Sequence, residues 1–123
     1  MVGIDLFENK RKIIFKNNKI VHRFFFADEI ELAKKIKDKT TFYAKVFACK
    51  EAVYKLLHNL HPNLFFNKFA IKVNYCNFVF KVEYVLQDDE EINNVIKTID
   101  FEKIYISDSD EKDYIVLIAM LSN

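Results

Sequence analysis

Residues 40–60 read TTFYAKVFACKEAVYKLLHNL, and the fold follows from how this stretch buries itself. Phe42, Val46, Cys49, Val53, Leu56 and Leu60 recur at alternating spacings of four and three, the period of a helix with one buried seam. A cap at Thr40 or Thr41 starts the helix, and Pro62 with the Asn residues around it ends it. Glu51, Lys55 and His58 fall at i, i+4 and i+7, so they form one polar stripe beside the apolar seam. A long amphipathic helix of this kind requires a partner surface, and the rest of the chain supplies strands.

Upstream, Val2, Ile4 and Leu6 alternate with Gly3 and Asp5, the period of a half-buried strand. The expectation is that the apolar set faces the core and that Asp5 points away from it. The basic stretch Lys10-Arg11-Lys12 follows, with Ile13, Ile14 and Phe15. Asp28 is a candidate cap for a short helix to about Lys37, with Ile30, Leu32, Ala33 and Ile36 inward. Downstream, Phe69-Ile71-Val73-Tyr75 and Phe78-Phe80-Val82-Tyr84-Leu86 alternate and join near Cys76-Asn77, which reads as a β-hairpin. The acids Asp88 to Glu91 open a short helix carrying Ile92, Val95, Ile96 and Ile99. Ile104 and Ile106, then Tyr114 to Leu121 after an acidic turn from Asp108 to Asp113, read as the last two strands. The sum is a small α+β single domain over residues 1–123, a central helix packed on an antiparallel sheet, with no repeat or linker.

Composition agrees with one folded domain: 123 residues, 51% hydrophobic and 30% charged. The net charge of +1 argues against a strongly basic nucleic-acid binder. It also conceals an asymmetry. Residues 1–23 carry six basic and two acidic side chains, whereas residues 87–113 carry three basic and ten acidic ones. An acidic partner therefore meets the N-terminal part. The first residues do not read as a signal peptide and no long uncharged apolar run follows, so the expectation is a cytoplasmic protein that makes no membrane contact. Cys49 and Cys76 lack zinc-type spacing and read as free, buried thiols.

The residues able to carry chemistry are Asp5 on a strand and Glu51 with Lys55 on the central helix. Two carboxylates and an amine suit Mg²⁺ and a phosphate, because magnesium takes one or two carboxylates and leaves other positions to water and substrate phosphates. On spacing alone the alternative stands that Glu51 and Lys55 are an exposed i, i+4 ion pair, worth about 0.3–0.5 kcal/mol, and that Asp5 is an edge charge. His22, His58 and His61 fit no HExxH pattern, and the one glycine of the chain excludes glycine-rich phosphate loops. The acidic turn Asp108-Ser109-Asp110-Glu111 lacks the glycine and distal glutamate of a calcium loop.

Four segments taken together resemble the holo-acyl-carrier-protein synthases, the small bacterial type of 4′-phosphopantetheinyl transferase. They are Val2-Gly3-Ile4-Asp5-Leu6 with Glu8, Lys10 and Arg11; Arg23-Phe24-Phe25 with Glu29; Phe47 to Lys55; and Ile104-Tyr105-Ile106-Ser107 leading to Tyr114. The resemblance implies transfer of 4′-phosphopantetheine from coenzyme A to a serine of apo-acyl carrier protein, giving adenosine 3′,5′-bisphosphate, and a place in fatty acid biosynthesis. It implies Mg²⁺ on Asp5 and Glu51, activation of the carrier serine by Glu51, and charge neutralisation or proton donation by Lys55. It further implies Tyr105 and Ser107 beside coenzyme A, Lys10 and Arg11 against the carrier, and a homotrimer with active sites between subunits. Val46 and Tyr105 stand where the family usually has arginine and histidine. The alternative is therefore a catalytically degenerate trimeric homologue acting as a carrier-protein-binding module.

Overall fold

A computed structural model of the chain describes residues 1–65 and 69–122. Strand β1 (Val2–Glu8) leads into a 3-10 helical stretch (Asn9–Lys16), followed by helices α1 (Asn18–Phe24) and α2 (Ala27–Ala33). The central helix α3 spans Lys39–Leu60. Strands β2 (Ala70–Cys76) and β3 (Val79–Val85) form a hairpin, then come α4 (Glu90–Ile96), a 3-10 turn (Phe101–Lys103), β4 (Ile104–Asp110) and β5 (Tyr114–Leu121).

The strands make two antiparallel sheets, β1-β5-β4 and β2-β3. Helix α3 lies on the first sheet and also touches the second. Its seam residues Phe42, Val46, Cys49, Val53 and Leu56 are buried, as the periodicity requires. They meet Ile115, Leu117 and Ala119 of β5 in one core. Asp38, rather than Thr40 or Thr41, caps the helix: its carboxylate accepts from the Thr41 amide at 3.2 Å and from the Thr41 hydroxyl at 2.8 Å.

The face of β1 is the reverse of the sequence expectation. Gly3 and Phe7 are buried and Asp5 points inward with them, while Val2, Ile4 and Leu6 are exposed. The reason is the closeness of α3. A Cβ on Gly3 would stand 2.0 Å from Ala52 O, so only glycine lets the strand seat on the helix at this point. The register pairs Val2 with Met120, Ile4 with Ile118 and Leu6 with Val116, and Met120 also lies opposite Tyr105. The outer face of this sheet is consequently an apolar surface.

The expected helix from Asp28 to Lys37 is also different. The chain forms α1 first, capped by Asn17, and α2 ends at Ala33. Asp28 lies inside α2 and pairs with Lys72 at 2.9 Å. Glu29 accepts from the Phe26 amide at 2.8 Å and so ties down the first turn, although Phe26 itself has no capping side chain. In the hairpin the turn residues are Asn77 and Phe78, both with positive φ, as a two-residue type I′ turn demands. Cys76 beside this turn is exposed, so only Cys49 matches the expectation of a buried thiol. Asp108 to Asp110 belong to β4 rather than to a turn.

Candidate active site

The buried seam of α3 fixes the direction of its polar side chains. Glu51 and Lys55 project one turn apart beside β1, where Gly3 allows the close approach. Lys55 Nζ donates to Asp5 Oδ1 at 3.0 Å and to the Ile4 carbonyl at 2.9 Å. Asn59 Nδ2 donates to the Val2 carbonyl at 3.3 Å, a second tether between helix and strand. Asp5, Glu51 and Lys55 therefore gather in one cluster although Asp5 is remote from the other two in sequence.

Glu51 is half-buried. Burial pushes its carboxyl above the usual carboxylate range, the Asp5 charge adds to the rise, and Lys55 opposes it. No described residue hydrogen-bonds the Glu51 carboxylate, whereas the Asp5 side chain is held by Lys55 at 15% exposure. Glu51 also lines a cleft of about 250 Å³ walled by Phe24, Phe47 and Tyr54, with Arg23 at its edge. His58 does not join the cluster: its ring nitrogen Nδ1 lies 2.9 Å from the Leu64 carbonyl, tying down the chain after α3.

Two buried lysines of α3, Lys50 and Lys45, each pair with carboxylates, and the first pair braces this wall. Glu29, fully buried, accepts from Lys50 Nζ at 2.6 Å and from the Val73 amide at 2.9 Å. It thereby joins α2, α3 and β2 around the residue that precedes Glu51. Lys45 bonds Asp110 at 2.7 Å and Asp108 at 3.3 Å, which explains the acidic end of β4 and raises the lysine's pKa despite its burial. Lys50 stands beside Glu51 in a charged dipeptide, so its sequence position does not mark it as buried. Partners so far apart in sequence leave no periodic trace.

Tyr105 and Ser107 lie on the outer face of β4, in register with Met120 and Ile118. They are on the side of the sheet away from Asp5 and Glu51. Lys10 and Arg11 sit in the exposed 3-10 stretch after β1, with Lys10 3.3 Å from Glu8 and the Arg11 guanidinium over the Phe7 ring. Among the described residues no three His, Cys, Asp or Glu side chains group as metal ligands. Asp5 and Glu51 are the carboxylates that could hold a metal, a number that would suit magnesium with substrate phosphate completing its shell.

Comparison with known proteins gives the family and the fold. The model of the 4′-phosphopantetheinyl transferase superfamily matches residues 1–119. A holo-[acyl-carrier-protein] synthase of Pelagibacter ubique is 35% identical over 125 aligned positions, covering 98% of this chain and 94% of that protein. Among solved structures, the holo-[acyl-carrier-protein] synthase of Neisseria meningitidis superposes with a TM-score of 0.70 at 19% identity, covering 99% of this chain and 97% of that one. The Helicobacter pylori synthase, solved in complex with coenzyme A, gives 0.69 at 24% identity over 99% of this chain and 100% of that one. The strand that seats Asp5 and the helix that carries Glu51 and Lys55 thus lie within a matched span of nearly the whole chain, and the protein belongs to the 4′-phosphopantetheinyl transferase superfamily.

Proposed function

We propose that this chain, as a single domain over residues 1–123, transfers 4′-phosphopantetheine from coenzyme A to a serine of apo-acyl carrier protein in a Mg²⁺-dependent reaction. The observation that carries the reading is the meeting of Asp5, Glu51 and Lys55 beside an open cleft. The serine oxygen forms a bond to the β-phosphorus of coenzyme A, and the bond from that phosphorus to the bridging oxygen breaks, releasing adenosine 3′,5′-bisphosphate. Glu51, with its raised pKa and no hydrogen bond from a described residue, accepts the serine proton. Lys55 supplies positive charge, and then a proton, to the departing oxygen. Asp5 and Glu51 would hold Mg²⁺, whose contribution is to neutralise pyrophosphate charge.

Lys10 and Arg11 steer the acidic carrier protein, in keeping with the net positive charge of residues 1–23. The apolar outer face of the three-stranded sheet, with Val2, Ile4, Leu6 and Met120 each more than 40% exposed, supports a homotrimer. Such an assembly would bring Tyr105 and Ser107 of one subunit to the coenzyme A bound by the next. None of the described helices is long and apolar enough to cross a membrane. A cytoplasmic location is part of the proposal because the carrier protein and coenzyme A are its substrates.

The test is the intact mass of an apo-acyl carrier protein incubated with this protein, coenzyme A and Mg²⁺, with an EDTA control. A gain of one phosphopantetheine group that EDTA abolishes supports the reading. No gain with several carriers refutes it and makes the degenerate carrier-binding module the leading alternative. Sedimentation of the protein alone tests the trimer.

A further inference from the structure

Asp5 holds the Lys55 ammonium and, in the function proposed above, would also hold a divalent ion. Lys55 Nζ holds Asp5 Oδ1 at 3.0 Å and is anchored by the Ile4 carbonyl at 2.9 Å, so the ammonium occupies the approach to the Asp5 carboxylate. The Asp5 side chain is 15% exposed and that of Lys55 is 52% exposed. Glu51, one turn back on the same helix, accepts no hydrogen bond from a described residue. A divalent ion gains most by bridging both carboxylates, yet an ammonium and a divalent ion on one carboxylate repel strongly in a half-buried site. Lysine is suited to give way, because its charge sits on a flexible four-carbon stem, here half in solvent.

We propose that Lys55 is an internal counter-cation that a divalent ion must displace from Asp5, so that binding of the ion and release of the ammonium toward the leaving oxygen are one event. This rests on Asp5 and Glu51 being the metal-holding pair. The lysine then does two things at once. It keeps the carboxylate pair from binding the ion tightly by itself, and it becomes free to serve the leaving group only when the ion is in place.

The experiment measures Mn²⁺ binding to the full chain alone, without coenzyme A or carrier, by electron paramagnetic resonance of the free ion. The variants are Lys55→Met, Lys55→Arg and Asp5→Asn, with thermal melts to show that each is folded. Removing the competing charge in Lys55→Met is expected to tighten Mn²⁺ binding about tenfold. Lys55→Arg, whose planar fork can grip Asp5 with two bonds, is expected to bind no more tightly than wild type. Binding lost in Asp5→Asn but unchanged or weakened in Lys55→Met overturns this inference and leaves the metal pair intact. No Mn²⁺ binding by any of the four proteins overturns both. A second readout is labelling of amines by an acylating reagent: adding Mg²⁺ should raise modification of Lys55 relative to the other lysines, and unchanged labelling refutes the displacement.

Discussion

Gly3→Ala tests whether the close seating of β1 on α3 positions the active site. The added methyl would lie 2.0 Å from Ala52 O and 2.7 Å from Leu56 N, both backbone atoms of the helix. Neither can rotate away, so strand and helix must separate by about 1.4 Å or more to restore ordinary contact distances. Overpacking of this kind costs about 1–3 kcal/mol, and a clash with two backbone atoms of the helix belongs at the upper end. With an unfolding entropy of about 2.1 cal/mol/K per residue, 3 kcal/mol lowers the melting temperature of a chain this size by about 12 °C. The same displacement carries Asp5 away from Lys55, and a misplacement of about 1 Å in a site costs about a hundredfold in rate. The assay is a thermal melt followed by carrier modification at a temperature where the variant is folded. A melting temperature within 2–3 °C of wild type, roughly 1 kcal/mol or less, would refute the packing argument. A normal rate from a destabilised variant would instead detach the seating of β1 from catalysis.

Three further outcomes follow from the same contacts. Glu29→Ala leaves Lys50 charged and buried without its partner and should cost about 3–5 kcal/mol in urea unfolding, whereas Lys50→Met should cost less because Glu29 keeps the Phe26 and Val73 amides. Asp38→Ala removes the α3 cap and should cost about 1 kcal/mol at pH 7. Hydrogen bonds from Thr41 hold the Asp38 carboxyl below its ordinary value of 3.8, so its folded pKa lies under its unfolded one. The cap's stabilisation is accordingly complete above that ordinary value and fades as pH falls through the folded pKa, so the gap between wild type and Asp38→Ala should close in acid unfolding midpoints. Phe78→Gly relieves a positive φ of 64° at a residue that is 88% exposed and packs little, and should stabilise the hairpin by about 1–2 kcal/mol in thermal melts.

The long helix was legible because its seam is periodic and local: every fourth or third residue from Phe42 to Leu56 is buried, as the spacing demanded. The hairpin and the last two strands were legible for the same reason, with period two in place of 3.6. Helix α1 left little trace, since its seven residues contribute only one buried side chain, Val21. The face of β1 was misread because alternation fixes two faces without saying which one the helix covers. Val2, Ile4 and Leu6 are the more apolar set, yet the helix takes the side of Gly3, where two backbones can meet. Tyr105 and Ser107 share the strand periodicity of Ile104 and Ile106 but fall on the outer face.

The amino-acid sequence by itself determined that a polar stripe with Glu51 and Lys55 lies beside a buried helix seam, because i, i+4 spacing is a property of the helix alone. It also determined the charge of the N-terminal part, which is a sum over residues. Only the tertiary structure decided that Asp5 turns toward that stripe, that Lys55 holds it at 3.0 Å, and that Glu29 and Lys50 brace the wall behind it. Each of these joins residues 21 or more positions apart. Such meetings are set by which surfaces exclude water together, and no local pattern encodes them.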